Sequence, residues 1–170
     1  RNLGTITYCA NTGDVSGEAA VGGIVGNNRG YISYVYNIAN KIEATLSTIG
    51  SVGGIIGNQN TTNDAYTKNA YNKSEIIGYL NIGGIVGKFD IGTMSNCYNI
   101  GTVSASTTTN VGQVYGYTYS TSAITSSEST TETLMKDWNQ TSINTNIGSG
   151  FINKTNSLPI FNITVHGVTF

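Results

Sequence analysis

Short apolar blocks closed by glycines recur along the first two thirds of the chain. The string VGGIVG at residues 21–26 returns as VGGIIG at 52–57, as IGGIVG at 82–87 and, less regularly, as VGQVYG at 111–116. Successive copies begin 31, 30 and 29 residues apart. A period of this length is typical of a supersecondary unit that buries its apolar face only by stacking on copies of itself.

A second motif, centred on asparagine, lies between the glycine strings. Its copies read CANTGDVS from residue 9, VYNIANKI from 35, AYNKSEII from 70 and CYNIGTVS from 97. The shared asparagines are 26, 35 and 27 residues apart, so the insertions fall between motifs, where loops absorb them. Tyrosine precedes three of these asparagines, which predicts a column of tyrosine rings beside the asparagines.

Segments between the glycine strings alternate apolar and polar residues. GYISYVYN from residue 30 and TMSNCYN from residue 93 are rich in β-branched and aromatic side chains, as short strands are. Three such strands per repeat predict an all-β fold, a parallel β-helix-like β-solenoid of about four repeats of about 30 residues, over residues 1–117. The apolar pairs of the strings, such as Ile55 and Ile56, are expected to form ladders inside it.

Glycine and asparagine are expected at the corners of this solenoid. Glycine permits a positive φ or a close approach of two backbones, and asparagine amides can hydrogen-bond to one another along a stack. The asparagines of the predicted amide ladder are Asn11, Asn37, Asn72 and Asn99. The glycines that define the repeat are Gly22, Gly23, Gly26, Gly53, Gly54, Gly57, Gly83, Gly84, Gly87, Gly112 and Gly116.

The last part of the chain, residues 118–170, lacks the glycine strings. A linker rich in serine and threonine leads into a predicted short helix at residues 131–139. Ser129 and Glu132 have the spacing of a capping box at its start.

This C-terminal part is expected to close the solenoid. Leu134, Met135 and Trp138 share one face of the predicted helix, which we expect to cover the open end of the stack. The tail from residue 158 onward alternates apolar and polar residues and predicts a final strand, belonging to this domain or to a neighbouring one.

Amides and hydroxyls, more than charges, make up the polar surface. Charged residues are 10% of the sequence and the formal net charge is −1, whereas the chain has 24 Thr, 21 Asn and 16 Ser. Since no basic patch is present, nucleic acid is not an expected partner. No apolar run approaches the roughly 20 residues of a membrane span, so this segment is not expected to insert into a membrane. Because the sequence begins at Arg1, we expect it to be part of a longer or processed protein.

Residue types that carry catalysis or bind metals are sparse. The single histidine, His166, cannot supply a zinc site alone. Cys9 and Cys97 occupy equivalent positions of the first and fourth repeats, about 14 Å apart across three coils and beyond the roughly 7 Å limit for a disulfide, so we expect two buried free thiols. The scattered carboxylates do not suggest the facing pair of a glycosidase. We therefore predict no catalytic residue, no metal site, no cofactor and no enzymatic activity.

Tyrosine is the residue type best suited to recognition here, with 11 copies. Exposed rings offer flat faces to sugars or to a protein partner, whereas rings packed at the corners of the solenoid have a structural role. The candidate ligand contacts are Tyr31, Tyr34, Tyr66, Tyr117 and Tyr119.

The G-G-I-V-G strings and the intervening C-Y-N-x-G-x-V stretch resemble the GLUG-motif repeats of large bacterial surface and secreted proteins. The resemblance covers residues 1–117, and the stretch from TLMKDWN to NSLPIF resembles the segment that commonly closes such arrays. Family members include adhesin-like proteins and the non-catalytic repeat region of IgA-cleaving metallopeptidases. The fourth copy departs from the pattern at Gln113 and Tyr115, which suggests a terminal coil.

The repeat pattern and this resemblance together predict a non-enzymatic, extracellular module of a larger bacterial surface protein. It would act as an adhesin-like binder of a host or neighbouring-cell surface protein or glycan, or as a rigid spacer. Two alternatives stay open. One is the non-catalytic repeat region of a large secreted protease or glycosidase, and the other is a carbohydrate-binding module that uses the tyrosines.

Overall fold

The chain forms a β-solenoid of about four turns. A computed structural model describes residues 1–48, 50–60, 65–106, 110–119, 124–165 and 168–169. Each coil has four short strands, and equivalent strands of successive coils pair in parallel. The predicted all-β solenoid is therefore confirmed, although each coil has four strands where the sequence pattern predicts three.

The strands follow one another coil by coil along the chain. The first coil contains β1 (Thr5–Asn11), β2 (Val15–Gly17), β3 (Ala20–Gly22) and β4 (Val25–Asn28). The second contains β5 (Tyr31–Asn37), β6 (Lys41–Ala44), β7 (Ser51–Gly53) and β8 (Ile56–Gln59). The third contains β9 (Tyr66–Asn72), β10 (Glu75–Gly78), β11 (Ile82–Gly83) and β12 (Val86–Phe89). The fourth contains β13 (Thr93–Asn99), β14 (Val103–Ala105), β15 (Val111–Gly112) and β16 (Tyr115–Thr118), and β17 (Ile124–Ser129) follows it.

Four sheets form the four sides of the solenoid. Side 1 has the order β1-β5-β9-β13-β17, side 2 is β2-β6-β10-β14, side 3 is β3-β7-β11-β15 and side 4 is β4-β8-β12-β16. Because β17 pairs in register with β13, side 1 has a fifth strand beyond residue 117, which ends at Ser129. Part of the segment predicted as a linker is therefore a strand of side 1.

Each glycine string turns a corner between sides 3 and 4. In the first coil, β3 ends at Gly22, residues 23 and 24 form the bend, and β4 begins at Val25. The string is therefore two short strands with a bend between them, and not the single strand that its apolar residues suggest. The register aligns the equivalent glycines of successive coils, namely Gly22, Gly53, Gly83 and Gly112.

Apolar ladders fill the interior of the coils. One cluster of buried side chains includes Val35, Ile55 and Val86, and a second includes Ile42 and Val52. All five are inaccessible to solvent. Burial of each such side chain stabilises the fold by roughly 1.5–3 kcal/mol, so these ladders are the main apolar contribution to folding.

The predicted asparagine ladder forms at the corner between sides 1 and 2. Asn11 Nδ2 donates to Asn37 Oδ1 over 3.0 Å, and Asn37 repeats this contact with Asn72 over 3.0 Å. Asn72 in turn donates to Asn99 over 2.9 Å. Asn72 also accepts from the backbone N–H of Ser74 over 3.1 Å, which closes an Asx turn at the corner. The same amides therefore shape each corner and tie successive coils together.

Glycine faces this ladder because a side chain would not fit. A Cβ on Gly54 would overlap both the amide of Asn72 and the carbonyl oxygen of Gly84. The Gly54 carbonyl oxygen accepts a hydrogen bond of 2.8 Å from Asn37 Nδ2. The close approach of the asparagine amide and of the neighbouring backbone, and not a positive φ, thus explains why glycine occupies these positions. The glycines with a positive φ in the described part of the chain lie elsewhere, at Gly92 and Gly148.

The irregular fourth string follows from the same contact. Gly23, Gly54 and Gly84 each lie against an asparagine of the following coil. After the fourth coil, Ser129 takes the place of that asparagine in the register of side 1. Gln113 can therefore replace the glycine, and its Oε1 accepts a 3.4 Å hydrogen bond from Asn99. The departure at Gln113 marks the coil at which the ladder ends.

One left-handed residue interrupts each of the first four strands of side 1. In β5 it allows Ile32 and Val35, three residues apart, to face the core together, which regular alternation forbids. Side chains such as Tyr36 then point away from the core. The left-handed residues, with φ between 51° and 54°, are Tyr8, Tyr34, Asn69 and Asn96.

The chain after β17 forms two short helices and two antiparallel strand pairs. Their elements are α1 (Glu132–Lys136), α2 (Gln140–Asn146), β18 (Phe151–Lys154) with β19 (Ser157–Phe161), and β20 (Thr164–Val165) with β21 (Val168–Thr169). The predicted single helix is therefore two helices, and the predicted final strand is divided among several short ones.

The C-terminal segment, residues 131–161, lies on the outer face of side 1. Tyr71 and Tyr98 of side 1 pack with Met135, Ile143 and Phe151 in a third apolar cluster. The Tyr71 hydroxyl donates to the Pro159 carbonyl oxygen over 2.7 Å. The segment thus covers the predicted tyrosine column from the side, and the predicted cap on the end of the stack is wrong.

The start of α1 also differs from expectation. Thr131 is the N-cap residue, and its hydroxyl accepts from the Leu134 N–H over 3.2 Å, so Ser129 does not cap the helix. Met135 is buried and Trp138 packs edge-on against Tyr98, whereas Leu134 is 57% exposed. Within the described residues, no helix is long and apolar enough to span a membrane.

Replacing a buried ladder asparagine is expected to destabilise the fold strongly. Asn72→Ala leaves several buried hydrogen-bonding groups unpaired, at a cost of about 3 kcal/mol or more in the free energy of unfolding. Asn11→Ala, in the exposed first coil, should cost less than about 1 kcal/mol. Urea denaturation followed by circular dichroism measures both, and equal losses would contradict the ladder as the stabilising element.

Replacing a glycine of the strings by alanine is expected to destabilise the fold about as much as Asn72→Ala does. Gly54→Ala forces Asn72 away from its partners, and we expect a loss of about 3 kcal/mol and a lower melting temperature. Gly4→Ala is the matched control, because a Cβ there would have no heavy atom within 4 Å. Similar melting temperatures for the two variants would show that the Gly54 contact is not tight.

Candidate functional site

Side 4 carries two parallel columns of polar and aromatic side chains on its outer side, half-buried except for the exposed Tyr119. The first residue of each side 4 strand packs against the core, as Val25 and Ile56 do. The residues two positions later are aligned in register and are partly exposed. The second column follows the strands, where the Asn60 and Asp90 N–H groups continue the inter-coil hydrogen bonding. We define the eight residues as the polar face: Asn27, Asn58, Lys88 and Tyr117 in one column, and Arg29, Asn60, Asp90 and Tyr119 in the other.

Hydrogen bonds hold neighbouring side chains of the polar face in place. Arg29 Nε donates to Asn60 Oδ1 over 3.1 Å, between the first and second coils. Lys88 Nζ lies 3.0 Å from Asp90 Oδ2 and 5.7 Å from the centre of the Tyr119 ring. These contacts fix long side chains before any ligand arrives, which lowers the entropic cost of binding.

Two tyrosines form an L-shaped pair at one end of the polar face. The rings of Tyr117 and Tyr119 are 5.1 Å apart and nearly perpendicular, at 85°. Tyr119 is 70% exposed. Partial removal from water, together with its hydrogen bond to Tyr119, raises the pKa of the Tyr117 phenol. The Tyr117 hydroxyl therefore stays protonated, and can donate a hydrogen bond, at neutral pH.

A second tyrosine pair lies around the corner, at the start of the strands of side 1. Tyr31 and Tyr66 are in register, with ring centres 4.8 Å apart and a tilt of 34°. Tyr31 is 39% exposed, and Lys68 Nζ lies 4.6 Å from the centre of the Tyr66 ring. This pair adjoins the Arg29 and Asn60 column along the chain.

Tyr34 is separated from the other four candidate tyrosines. Its ring stacks on Tyr8 at 5.2 Å and 9°, and lies 6.0 Å from Phe151 of the C-terminal segment. Gly150 lies so close to Tyr34 that a Cβ there would overlap the ring. Tyr34 therefore supports the packing of the C-terminal segment, as Tyr36, Tyr71 and Tyr98 do.

Six residues of the polar face were not identified as candidates in the sequence: Asn27, Arg29, Asn58, Asn60, Lys88 and Asp90. A sequence signal for them is nevertheless present. The side 4 strands begin at Val25, Ile56 and Val86, and each of the six residues lies two or four positions after one of these core residues. Aligning the strings would have placed them in columns. The sequence pattern does not show where the chain turns after each strand, and the position of that turn decides whether the following residues face outward.

An open cleft of about 390 Å³ lies between α1 and the corner between sides 1 and 2, lined in part by Ile38, Ile100 and Lys73. Glu132 crosses it, 3.0 Å from Lys73 and 2.7 Å from Lys136. These contacts, with Lys136 contributing most, lower the pKa of the Glu132 carboxyl. The cleft therefore contains an ion-paired contact that fastens the C-terminal segment to the solenoid.

The two cysteines share a column but differ in accessibility. Cys9 and Cys97 occupy the same position in the register of side 1, with Val35 and Ala70 between them, and both are free thiols. Burial raises the pKa of the Cys97 thiol to about 12. Cys9 is exposed, contrary to expectation, because no coil of the described chain covers β1.

Among the described residues, no group of three or more His, Cys, Asp or Glu side chains is arranged to hold a metal ion. His166 lies outside the described residues. Comparisons with protein-family models, with curated proteins and with solved structures find no match for this chain. The resemblance to GLUG-motif repeats therefore stays a prediction.

The thiols should differ sharply in reactivity. Ellman's reagent is expected to modify Cys9 rapidly in the folded protein and to modify Cys97 only on unfolding, because the buried Cys97 thiol stays protonated. Absorbance at neutral pH, with and without denaturant, counts the reacted thiols. The Cys9→Ser variant is the control, and rapid labelling of that variant would contradict the buried environment of Cys97.

Proposed function

We propose that this chain is a non-enzymatic, extracellular repeat module of a larger bacterial surface protein, and that it binds a partner through the polar face in an adhesin-like role. The observation that carries the proposal is the ordered pair of columns on side 4. One outward pair of side chains comes from each of four successive coils.

The scaffold supports a binding role because it holds these side chains rigidly. Inter-coil hydrogen bonds and the asparagine ladder fix the strand positions, so little conformational entropy remains to be lost on binding. A surface built in this way presents the same pattern of donors, acceptors and rings to each partner molecule that arrives.

The chemistry of the polar face also favours binding over catalysis. Its carboxylate, Asp90, is paired with Lys88, and the raised pKa of the Tyr117 phenol keeps that hydroxyl protonated. Aromatic rings and guanidinium groups are enriched where proteins recognise partners. The partner on this proposal is a host or neighbouring-cell surface protein or glycan.

A binding screen with matched variants tests the proposal. The immobilised chain is exposed to host extracellular-matrix proteins, to a glycan array and to whole cells. We expect at least one partner to bind, and the double variant Tyr117→Ala, Tyr119→Ala to lower its affinity at least about tenfold, since exposed aromatic anchors carry much of the energy of such contacts.

Tyr79→Ala is the matched control, because Tyr79 follows β10 at the corner between sides 2 and 3, away from the polar face. Circular dichroism verifies that all variants keep the β-rich fold. Binding that the double variant leaves intact would refute the polar face as the binding surface. The absence of any partner across the three screens would favour a spacer.

A further inference from the structure

We infer that the polar face binds an uncharged oligosaccharide that lies along the axis of the stack, with about one sugar ring over each coil. The inference rests on the proposed binding function of this face and adds the chemical class and the direction of its ligand. Three observations carry it: the charge balance, the arrangement of rings and amides, and the spacing of the coils.

Charge balance favours an uncharged ligand. Lys88 and Asp90 neutralise each other at 3.0 Å, and the guanidinium group of Arg29 is engaged with the Asn60 side chain. The face has no cluster of unpaired cations among its eight residues, such as an acidic polysaccharide would require. The polar groups of the face are amides, hydroxyls, one ion pair and the single guanidinium group of Arg29, and all of them exchange hydrogen bonds with neutral hydroxyl groups.

The ring geometry at the end of the polar face suits a pyranose. A sugar ring has an apolar C–H face and a rim of hydroxyl groups. The perpendicular rings of Tyr117 and Tyr119, 5.1 Å apart, provide a flat surface for the C–H face and a side wall with a phenolic hydroxyl. Lys88, in the next coil, keeps further N–H donors for the hydroxyl rim beside its 3.0 Å hydrogen bond to Asp90 Oδ2.

The composition of the polar face fits a sugar better than a protein partner. The centres of protein–protein interfaces are enriched in aromatic residues, Met and Arg and depleted of Lys and Asp, whereas five of the eight face residues are three asparagines, Lys88 and Asp90. None of the eight residues of the polar face is aliphatic, and three carry a formal charge. Planar amides and a guanidinium group, in contrast, make paired hydrogen bonds with neighbouring hydroxyls.

Coil spacing sets the direction of the ligand. Parallel strands of adjacent coils lie about 4.8 Å apart, which is close to the length of one pyranose unit. A linear chain along the stack therefore meets one pair of face residues per sugar: Tyr117 with Tyr119, then Lys88 with Asp90, and then the two asparagine-containing pairs of the second and first coils.

The experiment measures affinity against ligand length. Isothermal titration calorimetry is performed with neutral linear oligosaccharides of the glucan, mannan and N-acetylglucosamine series, from disaccharides to hexasaccharides. In at least one series we expect affinity to rise with each added sugar and to level off near the tetrasaccharide, because four coils contribute to the face. Raised salt concentration should leave the affinity unchanged, because an uncharged ligand forms no ion pair with the polar face.

Three variants locate the ligand. Tyr119→Ala should lower the affinity for the tetrasaccharide about tenfold. Asn60→Ala should lower the affinity for the tetrasaccharide. The affinity for the disaccharide, which the tyrosine pair holds, should be unchanged. Tyr79→Ala, the control away from the polar face, should change neither. Acidic oligosaccharides of matched length complete the comparison.

Each other outcome overturns the inference in a recognisable way. If no neutral series binds, or only acidic sugars bind, the proposed ligand class is wrong. If affinity does not change with length, or if Asn60→Ala has no effect on the tetrasaccharide, the direction along the stack is wrong. Host proteins that bind through Tyr117 and Tyr119 without any neutral sugar would refute this inference and leave the proposed function standing. Binding that no face variant alters would refute both.

Discussion

A buried carboxamide is costly unless all its hydrogen-bonding groups are paired, and this constraint organises the whole solenoid. Asn72 satisfies its amide by bonding to the asparagines of the coils on either side and to the backbone of its own corner. The coils must therefore stack in one register, because a slip of one residue would leave several buried groups unpaired. The facing glycines follow from the same contact, since any side chain at Gly54 would displace the amide.

Insertions are tolerated wherever they do not disturb this contact. The spacing of 35 residues between Asn37 and Asn72 is longer than the others, and the strands β6, β7 and β8 within it still pair in register with the first coil. The same tolerance extends to outward positions of side 4, where Asn58, Lys88 and Tyr117 occupy equivalent positions in successive coils. The interior is thus constant from coil to coil while the outward columns vary, and the polar face has this organisation.

The tyrosines divide into two groups with different roles. Tyr36, Tyr71 and Tyr98 form a column on side 1, and the C-terminal segment covers it with Met135 and Phe151 among its contacts. Tyr31, Tyr66, Tyr117 and Tyr119 lie outside this packed region, in two pairs near the corner between sides 4 and 1. The packed group stabilises the attachment of the C-terminal segment, and the second group takes no part in that packing.

The sequence by itself determined the repeat, the parallel stack, the asparagine ladder and the shared column of Cys9 and Cys97, because these depend on short-range periodicity and on the chemistry of single residue types. Only the tertiary structure decided the four-sided coil, the left-handed residue at Tyr34, the position of the C-terminal segment and the grouping of the polar face. Each of these depends on where a corner directs the side chains that follow it, or on which distant segment covers them. Neither property is present in the local alternation of apolar and polar residues.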